Sequence, residues 1–143
     1  MNKSFIEKTL KESCRILYID NKNLIDEKAH ERTIVSRMLP YLSSQFTDYI
    51  VDPEYNREGE IRNRQTKKDV NGTPILPDLI VHQYGPTGRN LIAIEIKGYW
   101  NNGSREDDEE KLRGLHSKQG YEFMYRIELG KDEAEIIEIL PIN

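Results

Sequence analysis

The run 91–97 reads Leu-Ile-Ala-Ile-Glu-Ile-Lys. Side chains alternate across a strand, so Ile92, Ile94 and Ile96 share one face while Glu95 and Lys97 share the other. Two opposite charges thus sit side by side on an otherwise apolar strand. Upstream, residues 78–83 form a second strand-like run, separated from the first by the turn-forming segment Tyr84-Gly85-Pro86-Thr87-Gly88-Arg89. A symmetric hairpin centred between Pro86 and Thr87 sets Asp78 opposite Glu95, with β-carbons ~5 Å apart. Two bare carboxylates that close repel, and one of them is driven toward its protonated form. A divalent cation resolves the conflict. Hard oxygen donors and a need for bound water favour Mg2+, with Mn2+ as a substitute. Such an ion polarises a phosphate oxygen and lowers the pKa of its bound water. Lys97 points toward the same place, where it could orient the attacking water or stabilise charge on the phosphate.

Other residues gather around this trio. Glu31 shares a helical face with Val35, Met38 and Leu42, where an unpaired carboxylate is costly. It therefore needs a partner, either a metal-bound water or a basic side chain such as Lys97. Tyr55-Asn56-Arg57 closes an earlier strand. Arg57 suits a substrate phosphate, and Tyr55 could stack on a base or pack. Arg62, Arg64, Lys67 and Lys68 follow on a polar stretch read as a mobile loop, which could clamp a nucleic-acid backbone or stay solvated. Gly98-Tyr99-Trp100 could stack on a base or cap the sheet. The four acids Asp107 to Glu110 suit a solvated helix start. His30, His82 and His116 lack zinc-site spacing, and a lone Cys14 can form neither an intrachain disulfide nor a zinc cluster.

Pro77-Asp78 followed by Glu95-Ile96-Lys97 resembles the PD-(D/E)xK phosphodiesterase superfamily, which includes restriction endonucleases, Holliday-junction resolvases and many repair and phage nucleases. The resemblance implies an α/β restriction endonuclease-like core, a central mixed sheet flanked by helices in the order helix-strand-strand-strand-helix-strand. Residues 26–130 read in that order, with an extra N-terminal helix and an extra C-terminal strand. It implies metal ligation at Asp78 and Glu95 and a catalytic lysine at Lys97. An acid on the first core helix fits Glu31 in Glu31-Arg32-Thr33-Ile34-Val35. In some relatives polar residues of the following helix approach the site, which brings in Gln119. The resolvase-like subgroup usually works as a basic dimer, and this acidic chain departs from that pattern.

The elements that must position these residues follow from periodicity. Residues 4–18 read as a helix with Ile6, Leu10, Cys14 and Leu17 on one face and Ser4 with Glu7 as a capping box. Asn21-Lys22-Asn23 breaks it. A second helix begins near Asp26 and runs to about Ser44, kinked or ended early by Pro40. Strands are expected over 48–56, 78–83 and 91–97, then a charged helix over 106–118 with Leu112 and Leu115 inward. Tyr121, Phe123, Tyr125, Ile127 and Leu129 alternate as a strand with one buried face, and a last strand spans 134–140. The result is one mixed α/β domain around one sheet.

The chain of 143 residues is long enough for a real core. Its net charge of −4 argues against a protein that simply coats nucleic acid. Charge is segregated, however: residues 57–68 carry five basic and two acidic side chains, and residues 122–138 carry two basic and six acidic. No apolar run approaches a membrane span, so a cytoplasmic location without membrane partners is expected. The expected activity is Mg2+-dependent hydrolysis of phosphodiester bonds in nucleic acid, with DNA as the expected substrate. Specificity would come from a homodimer or a partner protein. The alternative is a catalytically inactive module of the same fold that binds nucleic acid or a protein partner.

Overall fold

The computed structural model describes residues 1–53 and 77–142. The elements are α1 (Lys3–Asp20), α2 (Lys22–Asp26), α3 (Glu31–Gln45), β1 (Ile50–Pro53), β2 (Leu79–His82), β3 (Asn90–Gly98), α4 (Arg105–Gln119), β4 (Phe123–Leu129) and β5 (Ala134–Glu138). The strands form one sheet in the order β1-β2-β3-β4-β5. The β3–β4 pair is parallel and the other three are antiparallel. Parallel neighbours need a crossover, and α4 supplies it. The chain is thus an α/β protein with a mixed, open, five-stranded sheet.

Apolar side chains bury both faces of the sheet. One face carries Leu79, Val81, Ile92, Ile94, Ile96, Tyr125, Ile127 and Leu129, packed with the apolar stripes of α1 and α3. The other carries Ile80, Ala93 and Met124 against Leu112 and Leu115 of α4. The alternation read in β3 therefore holds: Ile92, Ile94 and Ile96 face α1 and α3, and Glu95 and Lys97 face α4.

Local chemistry moves several boundaries. Helix α1 is capped by Asn2, whose Oδ1 accepts the Phe5 N–H at 2.8 Å. Asn is as good a cap as Ser, and Asn2 holds the extended backbone a cap requires. The Ser4–Glu7 box is not used, and Glu7 instead accepts the Tyr125 hydroxyl at 3.1 Å. The helix breaks at Asn21, as expected. That residue ends α1 and opens the short α2, and Lys28 at φ 55° then turns the chain. The next helix consequently starts at Glu31, capped by His30 Nδ1 accepting the Arg32 N–H at 3.2 Å, rather than near Asp26. Pro40 does not end α3 early, which continues to Gln45. It lies on the exposed side, while the buried Ile34, Val35, Met38 and Leu42 hold the helix down. Strand β4 begins at Phe123, and Tyr121 belongs to the cluster under α4 rather than to the strand's alternating face. Residues 54–56 of the expected first strand lie outside the described residues.

Candidate active site

The hairpin of β2 and β3 pairs Leu79 with Ile94, Ile80 with Ala93 and Val81 with Ile92. This is the register that sets Asp78 opposite Glu95, one step beyond the last paired residues. Side-chain oxygens take over the ladder at that step. The Asp78 N–H donates to Glu95 Oε2 at 2.9 Å, and the Ile96 N–H donates to Asp78 Oδ2 at 2.7 Å. Each carboxylate is thereby fixed by the backbone of the opposite strand.

Glu95 is only 2% exposed. Burial, then the neighbouring Asp78 carboxylate, push its pKa well above the usual carboxylate range. Lys111, reaching down from α4, forms an ion pair with Glu95 Oε1 and opposes that shift. Burial would by itself lower the Lys111 pKa, but the Glu95 carboxylate more than offsets it and the net direction is upward.

Lys97 faces the same layer but pairs elsewhere. Its Nζ lies 2.8 Å from Asp108 Oδ2, and that oxygen has no partner of hydrogen-bond geometry. The compensation of this buried acid is therefore the lysine's charge. Glu31 approaches from α3 at the far end of β3. Its Oε2 accepts the Gly98 N–H at 3.0 Å, and both its oxygens accept the Asn101 amide, at 3.2 and 3.0 Å. The partner that Glu31 needs is therefore a backbone donor and an amide, not Lys97. A methyl group added at Gly103 would stand 2.9 Å from Lys97 Nζ and 3.0 Å from Asn101 Oδ1, so this turn closes tightly over the lysine. Beyond it, Arg105 pairs with Glu128 at 2.8 Å, and Arg126 pairs with Glu128 at 2.6 Å and Glu109 at 3.2 Å. Cross-strand register continues the alternation, with Glu95 beside Arg126 and Lys97 beside Glu128.

The expected site residues thus fall into three groups. Asp78 and Glu95 meet, while Lys97 near the end of β3 and Glu31 at the start of α3 have partners of their own. Gln119 lies at the other end of β3, where its carbonyl accepts the Asn90 amide at 2.6 Å. A strand rises ~3.3 Å per residue, so about 16 Å of β3 separates that end from Glu95. Tyr55, Arg57, Arg62, Arg64, Lys67 and Lys68 lie outside the described residues.

Two side chains that reach this layer, Lys111 and Asp108, escape a reading of α4 as an amphipathic helix with a solvated acidic start, and Asp108 is buried rather than solvated. The signal was nonetheless present. Asp108, Lys111, Leu112 and Leu115 follow the i, i+3, i+4, i+7 spacing of one helical face. Once Leu112 and Leu115 point inward, Asp108 and Lys111 must as well. The other histidines and the cysteine have partners or cover away from the carboxylate pair. His82 Nε2 contacts Asp52 Oδ2 at 2.7 Å, His116 Nδ1 contacts the Tyr121 carbonyl at 2.7 Å, and burial pushes the Cys14 thiol up to about 12. Trp100 and Tyr99 pack edge to face at 5.2 Å at the sheet end.

Among the described residues, no group of three or more His, Cys, Asp or Glu side chains could hold a metal ion. The pair Asp78 and Glu95 still matches the donor chemistry of magnesium, which keeps several waters and commonly takes one or two carboxylates. Comparison with known proteins finds no family model, no curated protein and no solved structure that matches this chain.

Proposed function

We propose that this protein is a metal-dependent nuclease that hydrolyses phosphodiester bonds of nucleic acid, with DNA as the substrate. The observation that carries this reading is the carboxylate pair itself. A chain gains nothing in stability by burying Glu95 against a second carboxylate, since each buried charge costs several kcal/mol to desolvate. A pair held in that position by reciprocal backbone hydrogen bonds is suited to binding a cation. The order α3, β1, β2, β3, α4, β4 also supports a restriction endonuclease-like core, with α1 and β5 as additions.

In this reading Asp78 and Glu95 bind Mg2+ or Mn2+, which supplies a polarised phosphate oxygen and a more acidic bound water. Lys97, anchored by Asp108, contributes positive charge to the phosphate or the attacking water. Glu31 fixes the Gly98–Asn101 turn and so positions the end of the strand that carries Lys97. Arg57 and the basic side chains at 62–68 serve as backbone contacts, and a second copy or a partner protein supplies specificity.

The test is manganese titration by calorimetry on the wild type and on Asp78→Asn, followed by incubation of each with single- and double-stranded DNA and RNA. The expected outcome is binding and cleavage in the wild type, and loss of both in the variant. A wild type that binds no manganese overturns the reading.

One observation favours a second reading. Lys111 already neutralises Glu95, and Lys97 is already paired with Asp108. A network balanced by its own lysines is compatible with a catalytically inactive module that binds nucleic acid or a protein. Such a module would bind nucleic acid without manganese and would not cleave it.

A further inference from the structure

Two lysines reach the α4 side of β3, and the structure gives them different acids. Lys97 Nζ rests on Asp108 Oδ2 at 2.8 Å, inside a pair that is 13% and 11% exposed. Lys111 rests on Glu95 Oε1, and its side chain is 32% exposed where Glu95 is 2%. The other Glu95 oxygen is occupied by the Asp78 N–H. The positive charge at the carboxylate pair therefore comes from the chain itself, on a flexible four-carbon tether with a foothold in solvent. The lysine can swing outward. The carboxylate, tied into the sheet, cannot follow.

We propose that Lys111 is a tethered counter-cation: its ammonium stands at the Asp78–Glu95 pair where a divalent ion would bind, and the two compete for Glu95 Oε1. The proposal rests on the metal-binding reading above. An ammonium offers hydrogen bonds but no coordination, so it can offset the charge of Glu95 without activating a water. It also repels an incoming cation at contact distance. Metal binding would then have two coupled parts, departure of Lys111 and ligation by the Glu95 oxygen it leaves. Without metal, Lys111 lets the buried Glu95 carboxylate persist beside Asp78 in a folded protein. Lys97 plays no part in this exchange, because Asp108 holds it one step further along the strand.

The test compares manganese affinity by calorimetry, at one pH and ionic strength, for the wild type, Lys111→Met, Lys111→Arg and Asp78→Asn. Removing the competing charge should tighten binding by roughly tenfold in Lys111→Met. Lys111→Arg, which keeps the charge, should stay within about twofold of the wild type on the same argument. Equal or weaker binding by Lys111→Met, with wild-type binding intact and Asp78→Asn silent, overturns the proposal and leaves the metal site standing. Equal tightening by Lys111→Arg overturns it as well, since side-chain shape rather than charge would then be the cause. Absence of binding by both the wild type and Lys111→Met removes the metal site altogether. Should Lys111→Met fail to fold, the wild type gives the answer by carbon NMR. The Lys111 Cε resonance should move during a magnesium titration with the midpoint of metal binding. A resonance that stays fixed while metal binds overturns the proposal.

Discussion

Among the described residues, Glu95, Asp108, Glu109 and Glu128 each have a basic neighbour on the α4 side of the sheet. Glu128 shows the consequence most simply. The Arg105 hydrogen bond, followed by the charges of Arg105 and Arg126, holds its pKa below the usual carboxylate value against partial burial. A depressed folded-state pKa means stability that is present above the unfolded value and lost as pH falls through the folded one. Glu128→Gln should therefore lower the urea midpoint at pH 7, by a margin equivalent to about 1 kcal/mol for a partly exposed pair. The difference from the wild type should close as the pH falls below the ordinary glutamate pKa. A gap that does not shrink at all on acidification would mean the loss is one of shape, not charge. At this scale the sequence showed Glu95 and Lys97 on one face, because a strand's period of two admits no other arrangement. It did not show which lysine meets which acid. Lys97 and Lys111 both lie within reach of the same layer, and only the rotation and height of α4 over the sheet assign Lys111 to Glu95 and Lys97 to Asp108.

The elements were legible where one signal dominated and less so where two competed. Strand β3 was clear because its β-branched run has no helical alternative. The start of α1 was not, since Asn2 and Ser4 are both capable caps two residues apart. The break between α2 and α3 rests on Lys28 holding a positive φ, which no residue type in that stretch announces. The end of α4 is the opposite case. Gly120 closes it at φ 74°, with the N–H donating to the His116 carbonyl at 3.0 Å. A Cβ there would meet nothing within 4 Å, so only backbone strain penalises a substitution. Gly120→Ala should destabilise the protein by about 1 kcal/mol, the cost of a left-handed L-residue. Thermal unfolding checks this. An unchanged melting temperature would show that the cap relaxes into another conformation.

Across the whole molecule, β3 is the central strand of the sheet and its longest. It pairs with a neighbour on each edge and is covered on both faces. Ile94 is fully buried at its centre. Ile94→Ala should cost about 2–5 kcal/mol in urea unfolding, as deletion of buried methylenes in a packed core does. A loss under 1 kcal/mol would mean that the α1 and α3 layer collapses onto the gap. Apart from the short α2, the order of helices and strands could be read from the chain, since periodicity is local. The placement of β4 beside β3 rather than beside β5 alone could not, because parallel pairing depends on how α4 packs. The same hairpin that brings the carboxylates together also shields them from one kind of change. Its register slips by one residue between Val81 and His82, on the turn side of the pair. That bulge works like a slip joint. A one-residue insertion in the 83–89 connection should therefore be taken up on the turn side of the bulge, with the register of Asp78 and Glu95 kept.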